Sequence, residues 1–352
     1  MFSRPALALL CAIIACCLAA PAAAARPAFG VVSDDVFAGP SDYQERGLAQ
    51  QRALGITVLR QGFVWGRMEP TPGEFDFALT DRFVLAAARH DIDVMPILIG
   101  EPPWATSRPT GNQARAIYPP ADMQDFGRFA AAIVRRYGAA GSLWSEHPSV
   151  APRPISIIQI WNEPNTPAYW ANAPQARAYA TMLTVAAAAI RAADPQVHVL
   201  AAGLPPSAGA ITPRAYLASL GRLGAFAAVD AVALHPYAGN PAGVIRQLDR
   251  ARAVIPPDMP VWVTEFGWAT GGPLSRGRTV SGKRQAQMIE RTLTDLTAGR
   301  ARWNLHGVIY YAWRDAPIFP GGKDYWGLYT GLLDSAARPK AAAQAFARVA
   351  LR

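Results

Sequence analysis

The sequence predicts an α/β fold, a single (β/α)8 TIM barrel, and two observations carry that expectation. Eight short runs rich in apolar and β-branched residues recur along the chain, with a helix-length segment after each. The runs are apolar nearly throughout rather than alternating, as strands of a parallel sheet buried on both faces must be. A doubly wound open sheet is the rival arrangement. It is disfavoured because no G-x-G-x-x-G turn follows the first run and the chain holds no phosphate loop.

Taken in order, the first expected strand, Phe29–Val32, precedes a weak helical segment near 42–53, and the second, Thr57–Arg60, precedes one near 78–90. After the third, Asp93–Leu98, the residues Phe126, Phe129, Ile133 and Tyr137 recur at the spacing of one helix face. After the fourth, Ile157–Trp161, Tyr179, Leu183, Ala186 and Ile190 do the same. Val197–Ala201 leads into a segment near 213–222, and Asp230–Leu234 into one near 241–254. Val261–Thr264 precedes the apolar stripe Ile289, Leu293 and Leu296, and Gly307–Ala312 precedes a last segment near 338–350. Packing on the sheet accounts for these stripes without a cofactor. No internal repeat or linker interrupts the series, so residues 26–352 are expected to form one domain.

Residues 1–25 read as a secretory signal peptide. Arg4 supplies the positive start, Pro5 to Ala20 an uncharged apolar run, and Ala22–Ala25 small-residue cleavage sites. The run is shorter than the ~18 residues of a membrane span, and no later segment stays apolar long enough for stable membrane insertion. A secreted or periplasmic location is expected. A second reading comes from Ile13-Ile14-Ala15-Cys16, which resembles a lipobox and would leave Cys16 lipidated. All three cysteines, Cys11, Cys16 and Cys17, lie in this segment. Cleavage after Ala25 therefore leaves no disulfide, no thiol nucleophile and no cysteine metal ligand.

Composition narrows the partners. The net charge of +9 rests on 34 basic residues, nearly all arginine, dispersed in an Ala-, Pro- and Gly-rich chain. No basic run interleaves with aromatics as nucleic-acid binding requires, so no nucleic-acid partner is expected. Five histidines without an H-x-x-x-H pair give no expectation of a metal, and the lack of a G-x-S-x-G turn disfavours a serine esterase.

In a barrel of this kind the active site lies at the C-terminal ends of the strands. The fourth strand ends in Trp161-Asn162-Glu163-Pro164 and the seventh in Thr264-Glu265-Phe266-Gly267-Trp268. Each sets one carboxylate at the mouth after an apolar run, where an unpaired charge is costly to keep. Taken singly, each glutamate has a plain alternative as a structural ion-pair partner. Two carboxylates converging from different strands are what cleavage of a glycosidic bond needs, one to protonate the leaving oxygen and one to attack or to activate water.

Together these segments resemble the two signatures of clan A glycoside hydrolases, and the pattern is most similar to families 39 and 5, from about Phe29 to the end of the chain. The resemblance implies that Glu163 is the general acid/base and Glu265 the nucleophile of a retaining, double-displacement mechanism. It also implies that Arg60, at the end of the second strand, sits beside the nucleophile, and that Asn162 binds the sugar 2-hydroxyl. In His235-Pro236-Tyr237, Tyr237 would donate to the nucleophile and His235 would position its neighbours. Trp313, in Tyr311-Ala312-Trp313-Arg314, is expected as the platform under the reactive sugar, and Trp268 as a further sugar contact. Trp104, Trp170 and Trp326 are candidates for outer subsites, whereas Trp65 and Trp161 are better read as packing at the rim. Glu69 is read as structural, Glu101 and Asp315 carry no role, and Arg314 is a candidate contact for an acidic sugar.

The function implied is a secreted retaining glycoside hydrolase acting on a β-linked oligo- or polysaccharide without cofactor. The sugar, the linkage and the oligomeric state are left open. Two alternatives stand beside it: a transglycosylase using the same two glutamates, and a non-catalytic glycan-binding barrel. Family 39 exo-enzymes carry an appended β-sandwich, whereas this chain ends just after its eighth helix. An open, endo-type cleft is therefore expected.

Overall fold

The computed structural model describes residues 26–112, 116–171, 175–273, 279–318 and 322–352. The segment read as a signal peptide, with Cys16, lies outside them. Eight strands run in chain order: β1 (Ala28–Val32), β2 (Val58–Val64), β3 (Asp93–Ile99), β4 (Ile157–Ile160), β5 (His198–Ala201), β6 (Val232–Leu234), β7 (Val261–Val263) and β8 (Leu305–Tyr310). Every pairing is parallel, in the order β5-β4-β3-β2-β1-β8-β7-β6. A parallel bridge between Leu200 and Ala231 joins the two outermost strands, so the sheet curls into a nearly closed barrel.

The helices are α1 (Asp34–Ala38), α2 (Ser41–Ala53), α3 (Trp65–Met68), α4 (Ala78–Arg89), α5 (Met123–Tyr137), α6 (Ser142–Glu146), α7 (Ala176–Ala193), α8 (Pro213–Arg222), α9 (Pro241–Arg252), α10 (Gly282–Ala298), α11 (Arg300–Trp303) and α12 (Ala341–Ala350). Several begin where side chains satisfy the first free N–H groups. Asp122 caps α5 and Ser281 caps α10, while Thr212 and Asn240 cap α8 and α9 ahead of Pro213 and Pro241.

Because successive side chains on a strand point to opposite faces, each strand supplies two cores. Val32, Val58, Met95, Leu200, Ala231, Ala233 and Ile309 fill the barrel interior. Their neighbours Val31, Leu59, Val94, Val199 and Val308 face the helices in the larger outer core.

The main departure from the sequence reading is β2, which does not end at Arg60. Gln61, Gly62, Phe63 and Val64 continue the ladder opposite Pro96, Ile97, Leu98 and Ile99 of β3. A polar residue followed by glycine looks like a strand terminus, but Gln61 is buried and its Nε2 donates to Asp34. Arg60 therefore lies within the strand, opposite Val32 of β1, and its side chain enters the barrel with the interior set.

Candidate active site

Arg60 organises the mouth. Its guanidinium is 1% exposed and spends its donors in three directions. Nε donates to Gln159 Oε1 at 2.9 Å, Nη1 to Glu265 Oε1 at 2.6 Å, and Nη2 to Asn162 Oδ1 at 2.8 Å. One rigid fork thus ties β2 to β4, to the turn after β4 and to the turn after β7. Gln159 is in turn fixed by donating from Nε2 to the Trp161 carbonyl at 2.7 Å.

Glu265 receives a second donor, the Tyr237 hydroxyl, at 2.8 Å from Oε2. On the other side of the mouth His235 Nδ1 lies 2.8 Å from Glu163 Oε1 and 3.6 Å from Glu265 Oε2, while Nε2 lies 3.4 Å from Arg60 Nη2. A guanidinium only donates, so the ring nitrogen facing it is the acceptor. The proton then sits on Nδ1, which donates to Glu163. Burial pushes the imidazole down to about 4, against the pull of Glu163, so His235 is neutral at ordinary pH. Burial likewise raises Glu163 above the ordinary carboxyl value, and the His235 hydrogen bond opposes that rise without cancelling it.

The backbone has special geometry here. Trp161 and Glu163 both have positive φ, 66° and 45°, a region that side chains other than glycine seldom occupy. Strain of this kind, surrounded by fixed contacts, concentrates at functional sites. The Glu163 amide donates to the Gly203 carbonyl at 3.2 Å. A Cβ on Gly203 would stand 2.0 Å from His235 Nε2, so only glycine leaves room for the imidazole.

Of the residues singled out in the sequence, Arg60, Asn162, Glu163, His235, Tyr237 and Glu265 come together in one connected network. Four of the tryptophans do not join it. Trp313 is 1% exposed and belongs to the outer core, so it offers no face to a sugar. The resemblance puts it at the end of the eighth strand, but β8 ends at Tyr310, three residues earlier. Trp268 is fully buried against Phe266, and its indole donates to the Ala238 carbonyl at 2.8 Å. Trp170 is buried between Trp161 and Tyr179. Trp104 is half-buried, edge-on to Trp65, with its indole donating to the Glu69 carbonyl at 3.2 Å. Glu69 has the structural role expected of it, accepting from the Trp65 indole at 2.6 Å and from the Gly73 amide at 2.8 Å. Arg314 is held by the Tyr43 hydroxyl, the Ser335 carbonyl and Asp35 and so is not free for an acidic sugar.

The aromatic groups that do lie near the glutamates are tyrosines, together with Trp326. Tyr311 packs on the interior core, shares a hydrogen bond with Tyr325, and lies within electrostatic reach of Glu265 and Asp34. Tyr169 is within similar reach of Glu163 and Glu265. Trp326 meets the Tyr237 ring edge-on at 5.0 Å. Trp326 was among the sequence candidates; Tyr311, Tyr169, Tyr325, Gln159 and Asp34 were not. Polar Gln159 inside an otherwise apolar strand was the signal available for one of them.

One oxygen each of Glu163 and Glu265 and one nitrogen of His235 lie within 4.8 Å of one another, the single such trio among the described residues with metal-ligand spacing. The Arg60 guanidinium already sits against Glu265, so a cation placed there would meet a fixed positive charge. The arrangement suits two carboxylates acting on one bond better than an ion.

A family model described as glycosyl hydrolase catalytic core matches residues 138–313, half of the chain, a stretch that includes Glu163, His235, Tyr237 and Glu265. No curated protein matches the sequence. Among solved structures, a family 39 glycoside hydrolase from Bacteroides cellulosilyticus WH2 is similar over 92% of this chain and 64% of its own, with a TM-score of 0.64 and 21% identity. The GH39 enzyme from Xanthomonas axonopodis pv. citri gives a TM-score of 0.64 at 18% identity, over 92% of this chain and 65% of its own. A GH5_18 variant from Streptomyces cattleya, in complex with Manb1-4GlcNAc, gives 0.66 at 17% identity, over 93% and 80%. At these identities the likeness is one of fold, and the chain spans less than two thirds of the length of the two family 39 structures.

Proposed function

The chain belongs to the glycosyl hydrolase catalytic-core family, and on that footing we propose that it is a retaining β-glycosidase with Glu265 as nucleophile and Glu163 as general acid/base. The observation that carries the proposal is the approach of Glu163 and Glu265 to within 4.8 Å, oxygen to oxygen. Retaining enzymes hold their carboxyl groups ~5–5.5 Å apart, whereas inverting enzymes need ~6.5–9.5 Å to admit a water.

The surroundings suit the two roles. Arg60 and Tyr237 both donate to Glu265, matching a carboxylate that must be charged to attack. Glu163 is raised by burial, matching a group that must hold a proton. The His235 Nδ1–H occupies Oε1 of Glu163, leaving Oε2 to carry that proton toward the leaving oxygen. In the first step a Glu265 oxygen bonds to the anomeric carbon as the bond to the leaving oxygen breaks and Glu163 delivers its proton there. In the second, Glu163 takes a proton from water as the water oxygen bonds to the anomeric carbon and the glycosyl ester to Glu265 breaks. Asn162, held by Arg60, is poised for the sugar hydroxyl beside the nucleophile. The substrate is a β-linked oligo- or polysaccharide. Residues 26–352 are proposed as the catalytic unit, and the leader-like first 25 residues support action outside the cytoplasm.

Removal of Glu163 tests this reading. In Glu163→Ala, turnover of substrates with poor leaving groups falls by about 10²–10⁴-fold. With activated leaving groups, where the intermediate forms without the acid and its breakdown limits the rate, azide restores turnover and gives a β-glycosyl azide, because the small anion attacks the intermediate where activated water is missing. An α-glycosyl azide, or wild-type turnover in this variant, contradicts the assignment.

A further inference from the structure

A cavity of about 510 Å³ opens between the ends of β1 and β2 and the first turn of α4. That volume lies within the ~300–1,000 Å³ range of small-molecule sites. Phe37, Val64 and Leu79 give it an apolar wall, and Asp34, Gln61 and Asp76 supply polar groups. A Cβ built on Gly62 meets nothing within 4 Å, so the space beside its backbone is open.

Asp34 stands two residues beyond β1, exposed to the cavity, and accepts from Gln61 Nε2 at 2.9 Å. That bond fixes the Gln61 amide, which is 3% exposed and whose Oε1 meets no donor among the described residues. Gln61, the partner of Asp34, adjoins Arg60, which holds Glu265 at 2.6 Å, and Asp34 lies within electrostatic reach of Glu265, Arg60 and Tyr311, so the cavity lies near the nucleophile. Cations are scarce there. Arg60 is committed to Gln159, Glu265 and Asn162, and Arg314 to Tyr43, Ser335 and Asp35. Exposed Arg67 also lines the cavity, one cation to the two carboxylates of Asp34 and Asp76.

Resting on the proposed glycosidase reading, we propose that this cavity is a subsite for a second sugar unit on the glycone side of the scissile bond. Asp34 there accepts hydrogen bonds from that unit and selects a sugar bearing hydroxyl or amino donors over a uronate. A carboxylate acceptor rewards a donor with a charge-assisted hydrogen bond and repels a second carboxylate in the same small cavity. Such a subsite makes a disaccharide or longer glycone the preferred substrate.

The test measures binding in full-length Glu163→Gln, so that no substrate is consumed. Calorimetry is run with neutral β-oligosaccharides (gluco, manno and xylo), with chitosan oligomers as the amino arm, and with oligouronates. The proposal expects micromolar to millimolar binding of a neutral or amino oligomer and none of uronates. Adding Asp34→Ala then weakens binding of the oligomer about 10–100-fold. Adding Leu79→Trp, which fills the cavity from the exposed face of α4 without touching the catalytic network, weakens it comparably and guards against misfolding of the Asp34 variant. Asp34→Asn distinguishes the two donor sources: a hydroxyl partner keeps a neutral hydrogen bond and loses clearly less than with alanine, and an ammonium partner makes it as damaging as alanine. Uronate binding at least as tight as neutral binding, binding by no member of the panel, or affinity unchanged in both cavity variants overturns the proposal. Failure of the glycosidase reading shows separately, as wild-type turnover in Glu163→Gln itself.

Discussion

At the scale of single residues, Arg60 is the group on which most of the site depends. Arg60→Met leaves Glu265 and Asn162 without their partner in a buried setting, and loss of one member of a buried pair costs about 3–5 kcal/mol. Chemical denaturation should show that loss together with a collapse of kcat. Arg60→Lys should regain part of the stability but little activity, because an ammonium cannot reach Gln159, Glu265 and Asn162 at once. His235 and Glu163 set the pH behaviour. Glu163 is raised by burial, so the alkaline limb of kcat/KM should lie above the ordinary carboxyl range. His235 donates to the charged form of Glu163 and lowers its pKa; His235→Ala should therefore move that limb to still higher pH, which a pH–rate profile reads directly. The same histidine affects stability with a definite sign. Its folded pKa of about 4 lies below the unfolded 6.5, so its contribution is fully present above pH 6.5 and is lost as the pH falls toward 4. Thermal melts of wild type and His235→Ala should diverge over that window, with the variant's Tm falling less. The network residues were legible in the sequence because each lies in or beside a strand-end motif. Tyr311 and Asp34 were not, since a tyrosine after an apolar run and an aspartate starting a short helix look like ordinary surface chemistry until the fold brings them to one mouth.

At the scale of elements, the strands were legible as apolar runs, while their ends depended on partners distant in sequence. β2 extends to Val64 because β3 offers Pro96 through Ile99 in register, which no local pattern of Gln61 and Gly62 announces. The same blindness misassigned two tryptophans. Trp313 and Trp268 follow strands, as sugar platforms do, yet both are buried in the outer core. Trp313→Ala should lower stability by about 3–5 kcal/mol, as large aromatic truncations in a core do. A loss of substrate affinity in Trp313→Phe at unchanged stability would contradict that placement. The turn after β5 makes a sharper prediction. Gly203→Ala drives a methyl group into His235 and against Thr264, neither of which has room to retreat. It should depress kcat and displace the pH–rate limb.

At the scale of the whole molecule, eight parallel strands in sequential order bring Arg60 from β2, Gln159 from β4, and the turns after β4, β6 and β7 to one end of the barrel. Glu163 and Glu265 are far apart in the chain, yet their oxygens meet within 4.8 Å because the closed sheet leaves those strand ends facing each other. The order of strands was readable from the sequence, whereas the depth and charge of the cleft depend on loop contacts that no periodicity encodes. The proposed mechanism requires Glu265 to form a covalent bond to the sugar. The most direct test is mass spectrometry of the intact protein after exposure to a panel of 2-deoxy-2-fluoro-β-glycosides with activated leaving groups. The fluorine slows both steps while the good leaving group lets the first proceed, so the glycosyl ester accumulates. The expected result is a mass increase of one fluoroglycosyl group, mapped by peptide sequencing to Glu265 and absent in Glu265→Gln. A label on any other residue, or turnover with inversion at the anomeric carbon, would contradict it.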